Sequence, residues 1–159
     1  MYKQMKFMVI LMFFLINTGN LTYAATVPSD ASIENAILVQ INAYRISHHL
    51  KPLKMDSRIS KEAKKHSSDM AKYIVPVGHQ SFANRISRLR LLIKNVTAAG
   101  ENVAFGYRTA QDVVKGWINS PGHRNNILGN YNLTGIGVAR DVRGRIYFTQ
   151  IFLKGTTTP

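Results

Sequence analysis

Three polar residues stand in settings that suit chemistry. His79 follows Gly78, Glu101 lies between Gly100 and Asn102, and His123 follows Pro121-Gly122. Each falls in a glycine-flanked stretch, where backbone can approach closely and side chains can converge on a cleft. Two imidazoles and a carboxylate make a donor set for a divalent metal such as zinc, with positions left for water or ligand. The same three residues also make a general acid and base set. A third reading stays open: each side chain satisfies a buried backbone group or caps a turn, because separated His and Glu residues are weaker evidence than a clustered ligand motif. No glycine-rich phosphate loop, nucleophile elbow or HExxH helix occurs in the chain.

The elements that must position these residues read mostly as helices first and strands last. Ile33, Ile37, Ile41 and Tyr44 recur at helical spacing, predicting a helix from Ser32, as N-cap, to His49, with Pro52 in the connection that follows. Asp56 or Ser57 caps a second helix that carries Ile59, Ala63, His66 and Met70 on one side and ends before Pro76-Val77-Gly78. Phe82 to Lys94 reads as a basic helix, with Ile86, Leu89 and Ile93 on its stripe and Arg85, Arg88 and Arg90 beside them; simple packing is its expected role. Ala99 to Gly106 suggests a short strand. Thr109 and Asp112 form a capping box for a helix through Val113, Val114 and Trp117. Ser120-Pro121-Gly122 interrupts that helix, and a single turn from Asn125 to Leu128 follows. Ile136 and Val138, then Tyr147, Thr149 and Ile151, alternate around Arg143-Gly144, which predicts a β-hairpin. The fold class is α+β, with helices packed on an antiparallel sheet.

In that frame Trp117 belongs to the core. His48, His49 and His66 are surface or packed side chains, and Asn125 and Asn126 are turn residues that hold their loop. Arg124 pairs with Glu101 or binds an anion. Ser81, two residues beyond His79, is a nucleophile only if it faces the cleft.

The bulk composition narrows the class. Lys3 and Lys6, the apolar run Phe7 to Ile16 and the small-residue site Thr22-Tyr23-Ala24 form a secretory signal over residues 1–24, cleaved after Ala24 or Ala25. The apolar run is about ten residues, short of the ~20 that span a bilayer. The remaining chain is the size of one domain, placed at residues 31–155, and is expected to be a monomer without a transmembrane segment. With no Cys, it must be held by packing and not by disulfides. A formal net charge of +13 attracts anions such as wall polymers or acidic lipid, or serves solubility alone. Nucleic acid is not expected, because no motif interleaves aromatic residues with Lys and Arg.

The ordered motifs Gly78-His79, Ala99-Gly100-Glu101-Asn102-Val103-Ala104, Trp117 to Leu128 with its Ser-Pro-Gly-His-Arg core, Gly135-Ile136-Gly137-Val138 and Tyr147 to Phe152 resemble the bacterial branch of the CAP superfamily, also called the SCP domain. Asn42-Ala43-Tyr44-Arg45 and Leu53 fit its opening helix, so the resemblance covers about Ile33 to Leu153. It implies a three-layer α-β-α sandwich with a central antiparallel sheet and a cleft. In well-known eukaryotic members that cleft holds two His and two acidic residues. His79 and Glu101 match the first of each. Asn119 and Ser120 stand where a second Glu would be, and Tyr147 stands in place of the second His; His123, from the bacterial motif, is the candidate for the second imidazole.

The function expected from this resemblance is an exported binding or effector module, in the cell envelope or secreted, that takes lipid, sterol or a divalent metal in a His79-Glu101-His123 cleft. One alternative is a hydrolase of protein or wall polymer, with Glu101 and the histidines as catalytic groups. The other is a basic surface that binds anionic wall polymer or acidic lipid.

Overall fold

A computed structural model describes residues 27–156 of the chain. The export signal read in the sequence lies outside these residues. Five helices and four strands run in the order α1 (Asp30–Ser47), β1 (Lys54–Met55), α2 (Ser57–Ala71), α3 (Phe82–Leu92), β2 (Lys94–Phe105), α4 (Ala110–Asn119), α5 (Pro121–Ile127), β3 (Leu133–Arg140) and β4 (Ile146–Thr156). The strands form one sheet in the order β1-β3-β4-β2. The three long strands are antiparallel, and the two-residue β1 adds a parallel pairing to β3 that the sequence did not announce.

Helices cover both faces, giving the three-layer α-β-α sandwich. Residues point alternately to the two sides of a strand, so β3 and β4 fill two separate cores. Ile136, Val138, Phe148 and Phe152 meet Ile33, Ile37 and Ile41 of α1 and Val113, Val114 and Trp117 of α4. Leu133, Ile151 and Leu153 meet Ile59 and Ala63 of α2 and Ile86 and Leu89 of α3. Trp117 is buried in the first cluster, as expected of it.

The close approach of α2 to the sheet depends on missing side chains. A Cβ added at Gly135 would lie 2.2 Å from the Ser60 backbone nitrogen, and one at Gly137 would lie 2.1 Å from that of Lys64. The helix backbone therefore rests on the backbone of β3, and its buried Ser67 donates to the Gly137 carbonyl at 2.8 Å.

Several boundaries differ from the sequence expectation for local reasons. Ser29, not Ser32, caps α1 by accepting from the Ser32 N–H. Asp56 caps α2 through the Arg58 N–H, and Thr109 with Asp112 caps α4 as read. Pro121 does not lead to a single turn from Asn125; it starts the seven-residue α5 at the first helical position, where its missing N–H costs nothing. β2 begins at Lys94 and is twelve residues long, because pairing with β4 extends it well before Ala99.

Candidate functional site

The site forms along β2, the edge strand at which the two helical layers can wrap around the sheet. Glu101 and Val103 point to the α2–α3 side, and Asn102 points to the other. The Glu101 side chain is 1% exposed. A carboxylate so deeply buried needs partners, and it has three contacts. Arg85, in the first turn of α3, donates through Nε to Oε2 at 2.9 Å and through Nη2 to Oε1 at 2.8 Å. The Nδ1 of His79 lies 2.9 Å from Oε1. The carboxylate can only accept, so His79 donates from Nδ1, which leaves its Nε2 free on a side chain that is 54% exposed.

The network continues inward. Arg85 Nη1 donates to the Gln80 carbonyl at 2.7 Å and lies 3.2 Å from His66 Nδ1. The other ring nitrogen of His66 lies 2.8 Å from the Gly78 carbonyl. Arg85 can only donate and a carbonyl can only accept, so His66 is the neutral imidazole with its proton on Nε2. Burial depresses its pKa, against the Gly78 carbonyl, and the adjacent Arg85 depresses it further. His66 thus suspends the Gly78-His79 loop from α2. Reading it as an ordinary packed residue missed this role, although its place on the apolar stripe with Ile59, Ala63 and Met70 was the available signal.

His123 approaches from the opposite side, on α5. Its carbonyl accepts from Asn102 Nδ2 at 3.1 Å, while Asn126 Nδ2 donates to Asn102 Oδ1 at 2.9 Å and to the Glu101 carbonyl at 3.0 Å. Asn126 is therefore a cross-link between α5 and the edge strand, not a turn residue. It sits so close to Gly100 that a Cβ there would come 2.9 Å from its Oδ1 and 2.8 Å from the Tyr131 hydroxyl. The His123 ring is half-buried, and its pKa is lowered first by that burial and then by the charge of His79.

The structure thus brings His79 onto Glu101 on the α2–α3 side of β2, and places His123 on the other side of the same strand, tied to it through its backbone carbonyl on Asn102. Arg124 does not pair with Glu101; its Nη1 donates to the Ile118 carbonyl at 3.3 Å, and Arg85 holds the carboxylate instead. Ser81 precedes α3 with φ 59° and makes no hydrogen bond to His79 among the described residues. Tyr147 lies in the cluster of Met70 and Val103, stacked on Phe105, with its hydroxyl toward Asp141.

As a zinc site the arrangement fits poorly. Among the described residues, no group of three His, Cys, Asp or Glu side chains is spaced to hold a metal ion. Both oxygens of Glu101 are committed to Arg85, and a bidentate guanidinium is a strong competitor for a carboxylate.

A second buried arginine shapes the loop after α5. Arg45 of α1, only 2% exposed, donates to the carbonyls of Lys51, Ile127, Gly129 and Tyr131 at 2.6–3.1 Å. It closes the C-terminal end of α5, where unpaired carbonyls accumulate, and so helps to fix the helix that carries His123 and Asn126.

Among known proteins, the profile of the CAP family, described as the Cysteine-rich secretory protein family, matches residues 38–152. The chain is 40% identical over 129 residues to YkwD of Bacillus subtilis, covering 79% of this chain and 49% of that uncharacterized protein. It is 36% identical over 123 residues to the Bacillus subtilis membrane protein YlbC, also uncharacterized, covering 76% and 34%. The chain therefore spans about half or less of these relatives. An extracellular SCP-domain protein of Bacillus anthracis aligns with a TM-score of 0.62 at 30% identity, over 79% of this chain and 42% of that one. An outer surface protein of Borrelia burgdorferi aligns with a TM-score of 0.71 at 19% identity, over 81% and 97%, and shows the shared fold. With its motifs in family order, its fold matched and most of its length inside the family profile, the chain belongs to the CAP, or SCP-domain, family.

Proposed function

We propose that the chain is an exported CAP-domain binding module whose cleft presents the imidazoles of His79 and His123 to a ligand, while Glu101 serves as a buried orienting group. The observation that carries this reading is the saturation of Glu101: three hydrogen bonds converge on its two oxygens, two of them from the same arginine. A carboxylate so held has its oxygens engaged and little to offer a metal. What faces outward is His79 Nε2 and, across the edge strand, the half-buried ring of His123. Export is supported by the N-terminal sequence pattern and by the extracellular SCP-domain relative.

The test is calorimetry on the purified domain, with zinc, a sterol and a long-chain fatty acid as separate probes, against a His79→Ala, His123→Ala variant. A probe that binds the native domain and is lost in the folded variant supports the cleft. Binding of every such probe unchanged in the variant would remove it.

One observation favours a second reading. Glu101 on Nδ1 of His79 with Nε2 free is the carboxylate-oriented imidazole that hydrolases use as a general base. Water would have to be the nucleophile, since Ser81 is not in contact. Turnover of casein or of isolated wall polymer that disappears in His79→Ala would establish this reading over the first.

A further inference from the structure

The turn leaving β2 and the hairpin joining β3 to β4 meet at one end of the sheet, where the Gly106 N–H donates to the Ile146 carbonyl at 2.9 Å. Around that junction Arg108, Arg140, Arg143 and Arg145 line a cavity of about 390 Å³, with Tyr107 and Gly144 completing its wall. The hairpin is fixed from below. The buried Asp141 carboxylate accepts from the backbone N–H groups of Arg143 and Arg145 at 2.9 Å each, and from Arg145 Nε at 2.7 Å. Arg140 is held by Asp30 at 3.0 Å and by the Pro28 carbonyl at 3.2 Å. Arg108 and Arg143 have no ion-pair partner among the described residues.

Two carboxylates therefore answer four guanidinium groups. Charge that serves solubility alone is best dispersed, whereas four like charges gathered on a braced turn repel one another until an anion enters. Gly106 and Gly144 have φ of 82° and 75°, and a Cβ added at either meets nothing within 4 Å, so the cup is open on both glycine sides. A planar guanidinium fork matches the oxygens of a phosphate group. A second cavity, of about 490 Å³, shares Gly106, Tyr107 and Arg108 with the first and brings in Lys115 together with the carboxylate of Asp112, which accepts from the Thr109 hydroxyl at 2.7 Å. Arg108 and Lys115 thus carry cationic groups past the length of a single ion, with Asp112 as the one carboxylate lining that extension.

We propose that this arginine cup and its extension bind consecutive phosphodiester groups of an anionic polymer. The site is separate from the cleft of His79 and His123 and does not rest on that reading. A bilayer surface is the weaker match. The cationic groups line a concavity, and the hairpin tip offers only Val142 as an exposed aliphatic side chain, too little apolar area to insert.

The experiment measures binding of labelled poly(glycerol phosphate) to the purified mature chain at about 0.15 M salt, and its dependence on salt concentration. Arg108→Gln with Arg143→Gln should weaken binding at least about tenfold and flatten the log–log salt slope by about 1 to 2, as expected for two lost phosphate contacts. Lys61→Gln with Lys94→Gln removes the same charge away from the cup and should change affinity less than about twofold. Should the arginine double variant melt early, Arg108→Gln alone, outside the braced hairpin, carries the comparison. Equal losses in the lysine and arginine variants, or an arginine variant that binds as the native chain does, would overturn the proposal. So would inorganic phosphate binding as tightly as the polymer, or vesicles of phosphatidylglycerol and phosphatidylcholine being bound in its place.

Discussion

At the scale of single residues the cleft depends on Arg85. It is 5% exposed and holds both oxygens of a carboxylate that is itself out of water. Removing one member of such a pair leaves a buried charge without compensation, which costs about 3–5 kcal/mol. Arg85→Ala should therefore lower unfolding stability by about that amount in urea denaturation, whereas replacing both members with apolar residues of similar volume, Arg85→Met with Glu101→Leu, should recover much of the loss. A single variant as stable as the native domain would mean that the buried Glu101 has no need of the arginine. The sequence showed Glu101 and His79 through their glycine-flanked settings but hid Arg85. On the helix from Phe82 the three arginines beside the apolar stripe look alike, and only the burial of Glu101 opposite α3 draws one of them inward. Arg45 was hidden in the same way: a cation surrounded by carbonyls leaves no spacing signal, since three of its four partners lie more than eighty residues away.

At the scale of elements the glycines of β3 decide how close α2 can lie. Gly137→Ala would place a Cβ against the backbone of Lys64, which cannot rotate away as a side chain can. The helix must lift, and every contact of Ile59, Ala63 and Ser67 with the sheet loosens with it. A loss of about 1–3 kcal/mol or more is expected. Gly144→Ala has open space and suffers only from its positive φ, so its loss should be smaller, about 1–2 kcal/mol. Equal destabilisation of the two variants in denaturant titrations would contradict the packing argument. The alternation of Ile136 and Val138 made the hairpin legible, and helical spacing did the same for α1, α2 and α4. The reason for Gly135-Ile136-Gly137 was not legible, because it lies in the distance between two elements and not in either one. β1 escaped for a related reason: two residues carry no period, and the strand exists only because β3 is there to pair with it.

At the scale of the whole molecule, protons act on the fold through a few buried groups. Burial lowers the pKa of His66, with Arg85 adding to it, and Glu101 and Asp69 pull the other way. Burial also lowers that of His123, with His79 adding to it. Both imidazoles are neutral in the fold, so their contribution is complete above the unfolded value of about 6.5. As pH falls below that value the unfolded chain takes up protons that the folded chain refuses, and stability declines until the lower folded values are passed. Asp141 acts in the same direction at more acid pH. Burial raises its pKa, but hydrogen bonds from Arg145, Tyr73 and Arg143 outweigh this and hold it well below the ordinary carboxylate range, so its contribution is lost under strong acid. Glu34, raised by burial, opposes the trend only near its own range. The net positive charge, which grows as histidines protonate, adds repulsion in the same sense. Unfolding free energy measured in urea should therefore be nearly level from about pH 8 to about pH 7 and fall from there to about pH 5. In His66→Gln, where the amide can still donate to the Gly78 carbonyl, the starting stability should be lower and the slope over that window shallower. A native domain that is equally stable across the window, or a variant with an undiminished slope, would show that His66 is protonated within the fold and that the Arg85–His66 contact is not the neutral hydrogen bond its geometry describes.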